Sequence, residues 1–184
     1  MSRPRLPHEI LFAVGGWSGG SPTNSIEAYD ARANCWVNIT NKVSKFASER
    51  PRAYHGVCFH GHSVYIMGGF DGQNYFNSVR RLDLQQLDCF EEPPMSNRRC
   101  YISTCQLGDY IYAMGGMDGH SRLKNVERYH VEQRYWELVP DMNERRSDAS
   151  STACPGLSRL VKSVLYRSII GGTIYAPITQ FCLC

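Results

Sequence analysis

The sequence lacks long apolar runs, and its N-terminus lacks the pattern of a secretory signal. No apolar segment in its 184 residues approaches the length of roughly 18 consecutive apolar residues that a membrane-spanning helix needs. The apolar run from Ile10 to Val14 is too short for the core of a signal peptide, and no small-residue cleavage site follows it. We therefore expect a cytoplasmic protein with no membrane partner.

Charge of one sign is also scarce. The chain has 20 Lys and Arg residues against 17 Asp and Glu residues, a formal net charge of +3. The basic residues are scattered rather than gathered in a stripe, which is the usual footprint of a nucleic-acid-binding surface. No nucleic acid is expected as a partner.

Motifs for catalysis or metal binding are few. The chain has no phosphate-binding loop, no His-Glu-x-x-His and no Cys-x-x-Cys among its eight cysteines. Glu91 and Glu92 are neighbours on a predicted strand, so their side chains point to opposite faces and cannot act as a pair. We expect no enzyme activity, no metal and no cofactor, and we expect most cysteines to be reduced, core-facing small hydrophobes.

What the chain has is glycine, tyrosine and a repeat. Diglycines occur at Gly15-Gly16, Gly68-Gly69 and Gly115-Gly116, with spacings of 53 and 47 residues. Further positions keep the same register after each diglycine, namely Tyr29, Leu82 and Tyr129, then Trp36, Cys89 and Trp136, then Arg52, Arg99 and Arg146. The period is therefore 47 residues, and the first repeat carries six extra residues before Arg52.

One period contains four short strands, predicted at 53–59, 63–68, 77–84 and 88–92, with turn residues between them. Four strands in a period near 47 are typical of a propeller blade. The prediction is an all-β fold, an open partial β-propeller of about three blades. The predicted parts are a three-strand blade at 10–39, full blades at 53–94 and 101–140, and the first strand of a fourth blade at 148–154.

The repeat has physical reasons. The second glycine of each diglycine allows a tight turn and a close approach to the next strand, because it has no Cβ. Tyr129 and Trp136 are expected to supply large apolar area between blades. Leu82 and Cys89 replace that pair in the second repeat, which predicts a smaller contact there.

The repeat pattern ends before the chain does. We interpret residues 1–9 as a linker, 10–153 as the partial propeller and 155–184 as a divergent tail. Two interpretations of the tail remain open, an unrelated and unstructured sequence or a divergent last repeat.

The pattern of diglycine, Tyr, Trp and then Arg resembles the kelch repeat, over residues 10–153. The strings RAYHGVCF, YFNSVRRLD and RRCYIS resemble the kelch-like (BTB-BACK-kelch) family, in particular a member associated with male germ cells and spermatogenesis. The resemblance implies a protein-binding module, the substrate-recognition part of a cullin-3 ubiquitin ligase adaptor. Cullin-3 would be reached only through upstream domains absent from this sequence. The alternatives are a cytoskeletal, actin-binding or scaffold protein, and a truncated product without function of its own.

Two classes of loop are predicted to open on one face of the propeller and to hold the contacts to a substrate protein. One class follows the recurring arginines and the other follows the diglycines. The predicted contact residues are Trp17, Arg52, Tyr54, Asp71, Gln73, Tyr75, Arg99, Tyr101, Asp118, His120, Arg146 and Asp148. For the arginines, the shared register favours packing between blades, with a ring of cations near the substrate as the alternative. For Asp71 and Asp118, the alternative is turn formation alone.

Overall fold

The computed structural model describes residues 10–43 and 50–154. The chain divides into two units, Met1–Ala153 and Cys154–Cys184, and only Cys154 of the second lies among the described residues. The described residues of the first unit form antiparallel strands and one short 3-10 turn, Thr40–Lys42. The predicted all-β fold of partial propeller blades is confirmed.

Three sheets follow one another along the chain. Blade 1 contains β1 (Ile10–Val14), β4 (Ile26–Asp30) and β5 (Cys35–Asn38), with the small hairpin of β2 (Trp17–Ser18) and β3 (Ser21–Pro22) between its first two strands. Blade 2 contains β6 (Gly56–His60), β7 (Ser63–Met67), β8 (Val79–Asp83) and β9 (Asp88–Glu92). Blade 3 contains β10 (Ser103–Leu107), β11 (Tyr110–Met114), β12 (Val126–His130) and β13 (Tyr135–Val139).

The strand register matches the sequence repeat. Each of the three recurring pairs faces across the last two strands of its blade, namely Tyr29 with Trp36, Leu82 with Cys89 and Tyr129 with Trp136. The rings of the two aromatic pairs lie 5.3 and 5.2 Å apart between centroids. The same positions therefore occupy the same place in all three blades.

The last hairpins of blades 1 and 2 turn in the same way. In blade 2 the Asp83 carboxylate accepts the backbone N–H groups of Gln85 and Gln86, and in blade 1 Asp30 accepts those of Arg32 and Ala33. Short polar side chains that bind the backbone two and three residues ahead are a common way to fix a turn. The turn is thus set locally, before any packing between blades.

The apolar core lies between the blades. The contact of blades 1 and 2 buries six residues in one cluster, Ile26, Val43, Val64, Ile66, Leu82 and Cys89. The contact of blades 2 and 3 buries a larger cluster, Cys58, Tyr65, Met67, Val79, Met95, Ile102, Ile111, Ala113 and Tyr129. The contact that contains Leu82 and Cys89 is therefore the smaller of the two.

Two sequence expectations need correction. Residues 148–154 form no strand, because a strand needs a pairing strand beside it and none of the described strands pairs with this segment. Cys58, Cys89 and Cys100 are buried, but Cys35 and Cys154 are exposed rather than core residues. Cys182, Cys184 and the predicted segments 1–9 and 155–184 lie outside the described residues.

Within the described part of the chain, no helix is long and apolar enough to cross a membrane.

Candidate protein-binding face

The diglycines join successive blades through the backbone carbonyls of the recurring arginines. The N–H groups of Gly16, Gly69 and Gly116 donate to the carbonyl oxygens of Arg52, Arg99 and Arg146, at 3.2, 2.7 and 2.9 Å. The preceding glycine of each pair has φ near +60°, and a Cβ on Gly115 would lie 2.5 Å from the Arg146 oxygen. At the first position of each pair a Cβ would clash with the arginine carbonyl, and at the second position the φ of 90–103° is one that residues with a side chain rarely adopt.

The side chains of Arg52 and Arg99 are buried, so they cannot contact a substrate. The Arg99 guanidinium donates to the carbonyls of Gly115 and Asn125 and pairs with Glu127 at 2.8 Å. The Arg52 guanidinium donates to the Gly68 carbonyl at 3.0 Å. Their prediction as contact residues is wrong, and the structural alternative holds for both, because each guanidinium satisfies carbonyls of the blade that follows it.

Arg146 differs from the other two, because its side chain is exposed. Its backbone keeps the common geometry, with the carbonyl bound by Gly116 and the N–H donated to the Leu123 carbonyl. Arg146 therefore stays a candidate contact residue.

The residues two positions after the arginines share an uncommon backbone conformation. Tyr54, Tyr101 and Asp148 have φ of 58°, 52° and 59°. The Tyr101 N–H donates to the Tyr54 carbonyl at 2.8 Å, and the Asp148 N–H donates to the Tyr101 carbonyl at 3.0 Å. A left-handed backbone is strained for residues other than glycine, and such strain tends to concentrate at binding sites. These bonds place the three side chains side by side across the blades.

Trp17 extends that line, and the result is a continuous aromatic row of Trp17, Tyr54 and Tyr101. The Trp17 and Tyr54 rings stack at 5.8 Å, and the Tyr54 and Tyr101 rings lie 4.4 Å apart. Trp17 is 44% exposed and Tyr54 is 37% exposed. A row of contacting aromatic rings with two exposed members is unusual on a surface that only faces water.

The two aspartates of the diglycine loops form turns. Asp71 accepts the N–H groups of Gln73 and Asn74, and Asp118 accepts those of His120 and Ser121, at 2.6–2.9 Å. The N–H groups of Ser121 and His120 hold the pKa of Asp118 below its usual value. Their carboxylates are engaged by their own loops, which supports turn formation rather than substrate contact.

The remaining predicted residues of these loops are divided. Gln73 and His120 are exposed, while Tyr75 is half-buried, with its ring 4.7 Å from that of Phe70. Tyr75 also lies against the next loop, where a Cβ on Gly119 would come within 2.9 Å of its ring. The bridges Ala53–Phe70 and Cys100–Met117 pair the two classes of loop directly, so both open on the same face.

Two polar residues that the sequence analysis did not single out hold the blades together. The His55 ring nitrogen Nε2 lies 2.9 Å from the Val14 carbonyl of blade 1, and burial, together with the nearby Arg52 guanidinium, lowers the pKa of His55 to about 4. Glu92 of blade 2 accepts the Tyr129 hydroxyl at 2.7 Å and Arg134 Nε at 2.9 Å from blade 3. The sequence signal for Glu92 is that an acidic residue stands where the other two repeats carry Ile39 and Val139.

The loop between β5 and β6 that carries the extra residues of the first repeat, Lys42–Arg50, is described only at its ends. Arg50 is exposed and lies 3.9 Å from Asp71, beside the diglycine loop of blade 2. Residues 44–49 lie outside the described residues. No group of three His, Cys, Asp or Glu side chains suited to a metal ion occurs among residues 10–43 and 50–154.

Comparison with known proteins gives relatives of the same repeat architecture. The chain is 29% identical over 101 residues to Kelch repeat-containing protein kel-10 and to Kelch repeat and BTB domain-containing protein F47D12.7, both of Caenorhabditis elegans. Each match covers 53% of this chain and 17% of the relative. It is 34% identical over 74 residues to human Kelch-like protein 4, covering 40% of this chain and 10% of that protein. The chain thus matches less than a fifth of the length of these relatives.

A family match covers most of the chain. Residues 7–166 match the family described as KLHDC2/KLHL20/DRC7 Kelch-repeats domain, a match that includes the first part of the segment interpreted above as a divergent tail. Kelch repeats are in general modules that bind proteins. With its three repeats, its blade topology and this match, the chain belongs to the kelch-repeat family.

Proposed function

We propose that the aromatic row and the loops beside it bind a segment of a substrate protein. The observation that carries the proposal is the row itself, in which Trp17 and Tyr54 are exposed and stack on each other, with the Tyr101 ring tilted against Tyr54. Trp and Tyr are the residues most enriched at the energetic centres of protein interfaces. They supply a large contact area at a low cost in side-chain entropy, because few of their torsions need to be fixed.

The polar residues around the row suit a rim. Gln73, His120, Arg146 and Asp148 are exposed on the same loops and carry donors, acceptors and both signs of charge. An apolar centre with a polar rim is the usual arrangement of a transient protein interface. The rim would set specificity, and the aromatic row would supply most of the affinity.

We further propose that the module acts within a longer adaptor that presents the bound protein to a cullin-3 ubiquitin ligase. The support is the resemblance of its repeats to the kelch-like family, together with a relative whose name includes a BTB domain. The module itself would only recognise substrate, and the resemblance favours a role in the cytoplasm of male germ cells.

One serine, Ser18, has the sequence spacing of a catalytic motif. Gly16-Trp17-Ser18-Gly19-Gly20 has the form Gly-x-Ser-x-Gly, but Ser18 lies in the two-residue strand β2, which turns back into β3. A nucleophile elbow needs a strand that leads into a helix, so that the serine is held at a strained turn. We therefore propose no catalytic role for Ser18.

The proposal is tested by affinity capture with matched variants. The full chain, a Tyr54→Ser/Tyr101→Ser variant and a Val57→Ser/Phe59→Ser variant are immobilised and exposed to the same germ-cell lysate. Val57 and Phe59 are exposed apolar residues of β6 and serve as the control. Proteins bound by the wild type and the control but lost with the tyrosine variant support the proposal, and equal capture by all three contradicts it.

The adaptor role needs a separate experiment. The kelch module joined to its upstream domains should co-precipitate cullin-3, and the tyrosine variant should co-precipitate it equally while losing the captured substrate. A longer protein that binds substrate without cullin-3 would favour a scaffold instead.

A further inference from the structure

One face of blade 1 is exposed although its residues belong to the type that the other blades bury. Leu11, Tyr29 and Trp36 lie across β1, β4 and β5 on this face, and Leu11 is 63% and Trp36 is 54% exposed. The equivalent residues of blade 3 are Ile111, Tyr129 and Trp136. Ile111 and Tyr129 are fully buried against blade 2. We call the exposed set of Leu11, Tyr29 and Trp36 the blade 1 face.

The structure shows what covers these residues in blade 3. Tyr129 packs on the Tyr65 ring of blade 2 at 6.1 Å between centroids, and Trp136 Nε1 donates to the Pro93 carbonyl at 2.8 Å. The other residues of blade 2 in this contact are Cys58, Met67, Val79 and Met95.

Blade 3 repeats that covering surface without a change of residue at six positions. Each lies 47 residues after its counterpart, and the six are Cys105, Tyr112, Met114, Val126, Pro140 and Met142. Tyr112 and Met114 are partly exposed, whereas Tyr65 and Met67 are buried. We call these six residues the blade 3 face. In the contact of blades 2 and 3, the same six residue types of blade 2 cover Ile111, Tyr129 and Trp136. The blade 3 face is therefore suited to cover Leu11, Tyr29 and Trp36.

The charges of the two faces also match. Arg99 and Glu127 form a fully buried pair at 2.8 Å where blade 3 joins blade 2. The residues equivalent to that pair are Arg146, beside the blade 3 face, and Glu27, in the strand β4 of blade 1. Both are exposed.

Two departures from the repeat compensate each other. Glu92, which binds Tyr129 and Arg134 between blades 2 and 3, is replaced by Val139 in blade 3. In blade 1 the residue equivalent to Arg134 is Asn34, and its Oδ1 accepts the Tyr29 hydroxyl at 2.7 Å. Tyr29 is therefore satisfied within its own blade and needs no carboxylate from the surface that covers it.

We infer that the blade 1 face docks on the blade 3 face of a second copy of this chain, with the geometry of blade 3 on blade 2. Glu27 of one copy then pairs with Arg146 of the other. The contact is heterologous, so each copy carries one face of each kind and either closes a ring of copies or extends into a chain. This inference does not rest on the proposed binding of a protein segment by the aromatic row, although Arg146, a rim residue in that proposal, would be engaged by Glu27 in the docked state.

Sedimentation velocity of the full chain over a range of concentrations tests the inference. The wild type should self-associate, while Trp36→Glu and Tyr112→Glu should each sediment as monomers because each has lost one of the two faces. A mixture of these two variants should form a heterodimer, since one supplies an intact blade 3 face and the other an intact blade 1 face. Phe59→Glu, at an exposed site of the middle blade, should associate like the wild type. Circular dichroism confirms that each variant keeps its strands.

Three outcomes overturn the inference. They are a wild type that is monomeric at all concentrations, self-association that survives both glutamate variants, and a mixture that stays monomeric while both variants are folded. The last outcome also excludes contacts between two blade 1 faces, because Tyr112→Glu would then associate alone.

A matched pair of arginine variants tests the charge contact. Arg146→Ala should weaken self-association about tenfold or more, because Glu27 would be left without a partner in the contact. Arg145→Ala, at the neighbouring exposed arginine, should leave it unchanged. Equal effects of the two substitutions would contradict the proposed docking geometry.

Discussion

The contact between blades 1 and 2 and the contact between blades 2 and 3 share a backbone arrangement but differ in side-chain chemistry. In both, an arginine carbonyl accepts from a diglycine N–H, the Arg52 carbonyl in the first and the Arg99 carbonyl in the second. Beside Arg99 lies Glu127, and the equivalent residue beside Arg52 is Arg80. The first contact relies on a small aliphatic cluster and His55, and the second on Tyr129, Glu92 and a buried ion pair.

This difference shows which part of the repeat is constrained. The glycines and the arginine carbonyl recur because they set the path of the backbone, where a Cβ would clash. The side chains between blades need only fill the space and satisfy buried polar groups, so the two contacts can differ.

The largest predicted difference is in the cost of removing each arginine. Arg99→Ala should lower the free energy of unfolding by about 3–5 kcal/mol, because it leaves the Glu127 carboxylate buried without its partner. Arg52→Ala should cost about 1–3 kcal/mol, because the Gly68 and Ser78 carbonyls and the Ser78 hydroxyl that its guanidinium binds are neutral groups. Urea unfolding of the two variants measures this, and equal losses would show that the Arg99–Glu127 pair has no special weight.

Acid should weaken the first contact through His55. Its folded pKa of about 4 lies below the usual 6.5, so the unfolded chain binds more protons between these values. The contribution is fully present above pH 6.5 and is lost as the pH falls towards 4, by up to about 3 kcal/mol. His55→Gln should flatten the pH dependence of the unfolding free energy over that range, and an unchanged slope would contradict the assignment.

The smallest predicted difference compares two tyrosine hydroxyls. Tyr129→Phe removes the hydrogen bond to buried Glu92 and should cost about 1–2 kcal/mol. Tyr29→Phe removes an exposed bond to Asn34 and should cost about 0.5 kcal/mol or less. Urea unfolding of both variants is the measurement, and a larger cost at Tyr29 would reverse this part of the comparison.

The sequence predicts the backbone of this fold better than its surface. The spacing of Gly69 and Gly116 is enough to place the strands, because the turn and the close approach depend on local residues. The fourth-blade strand was expected from the same register, but pairing depends on a neighbouring strand that register alone does not provide.

The candidate site is predicted only in part. The register of Arg99 gives its position but not the direction of its side chain, which turns inward to Glu127. The stacking of Trp17 on Tyr54 has no sequence signal, because the two residues come from different loops whose approach depends on how the blades pack. Glu92 was recognisable only as an acidic residue where its counterparts are apolar.

The central claim is that the row of Trp17, Tyr54 and Tyr101 binds protein segments, and selection from a random-peptide library on the immobilised chain tests it most directly. Dissociation constants of the selected peptides are then measured for the wild type, Tyr54→Ser/Tyr101→Ser and the control Val57→Ser/Phe59→Ser. We predict that the tyrosine variant binds about tenfold or more weakly, a loss of about 1.4 kcal/mol, and that the control binds like the wild type. Peptides that bind all three proteins equally would contradict the claim.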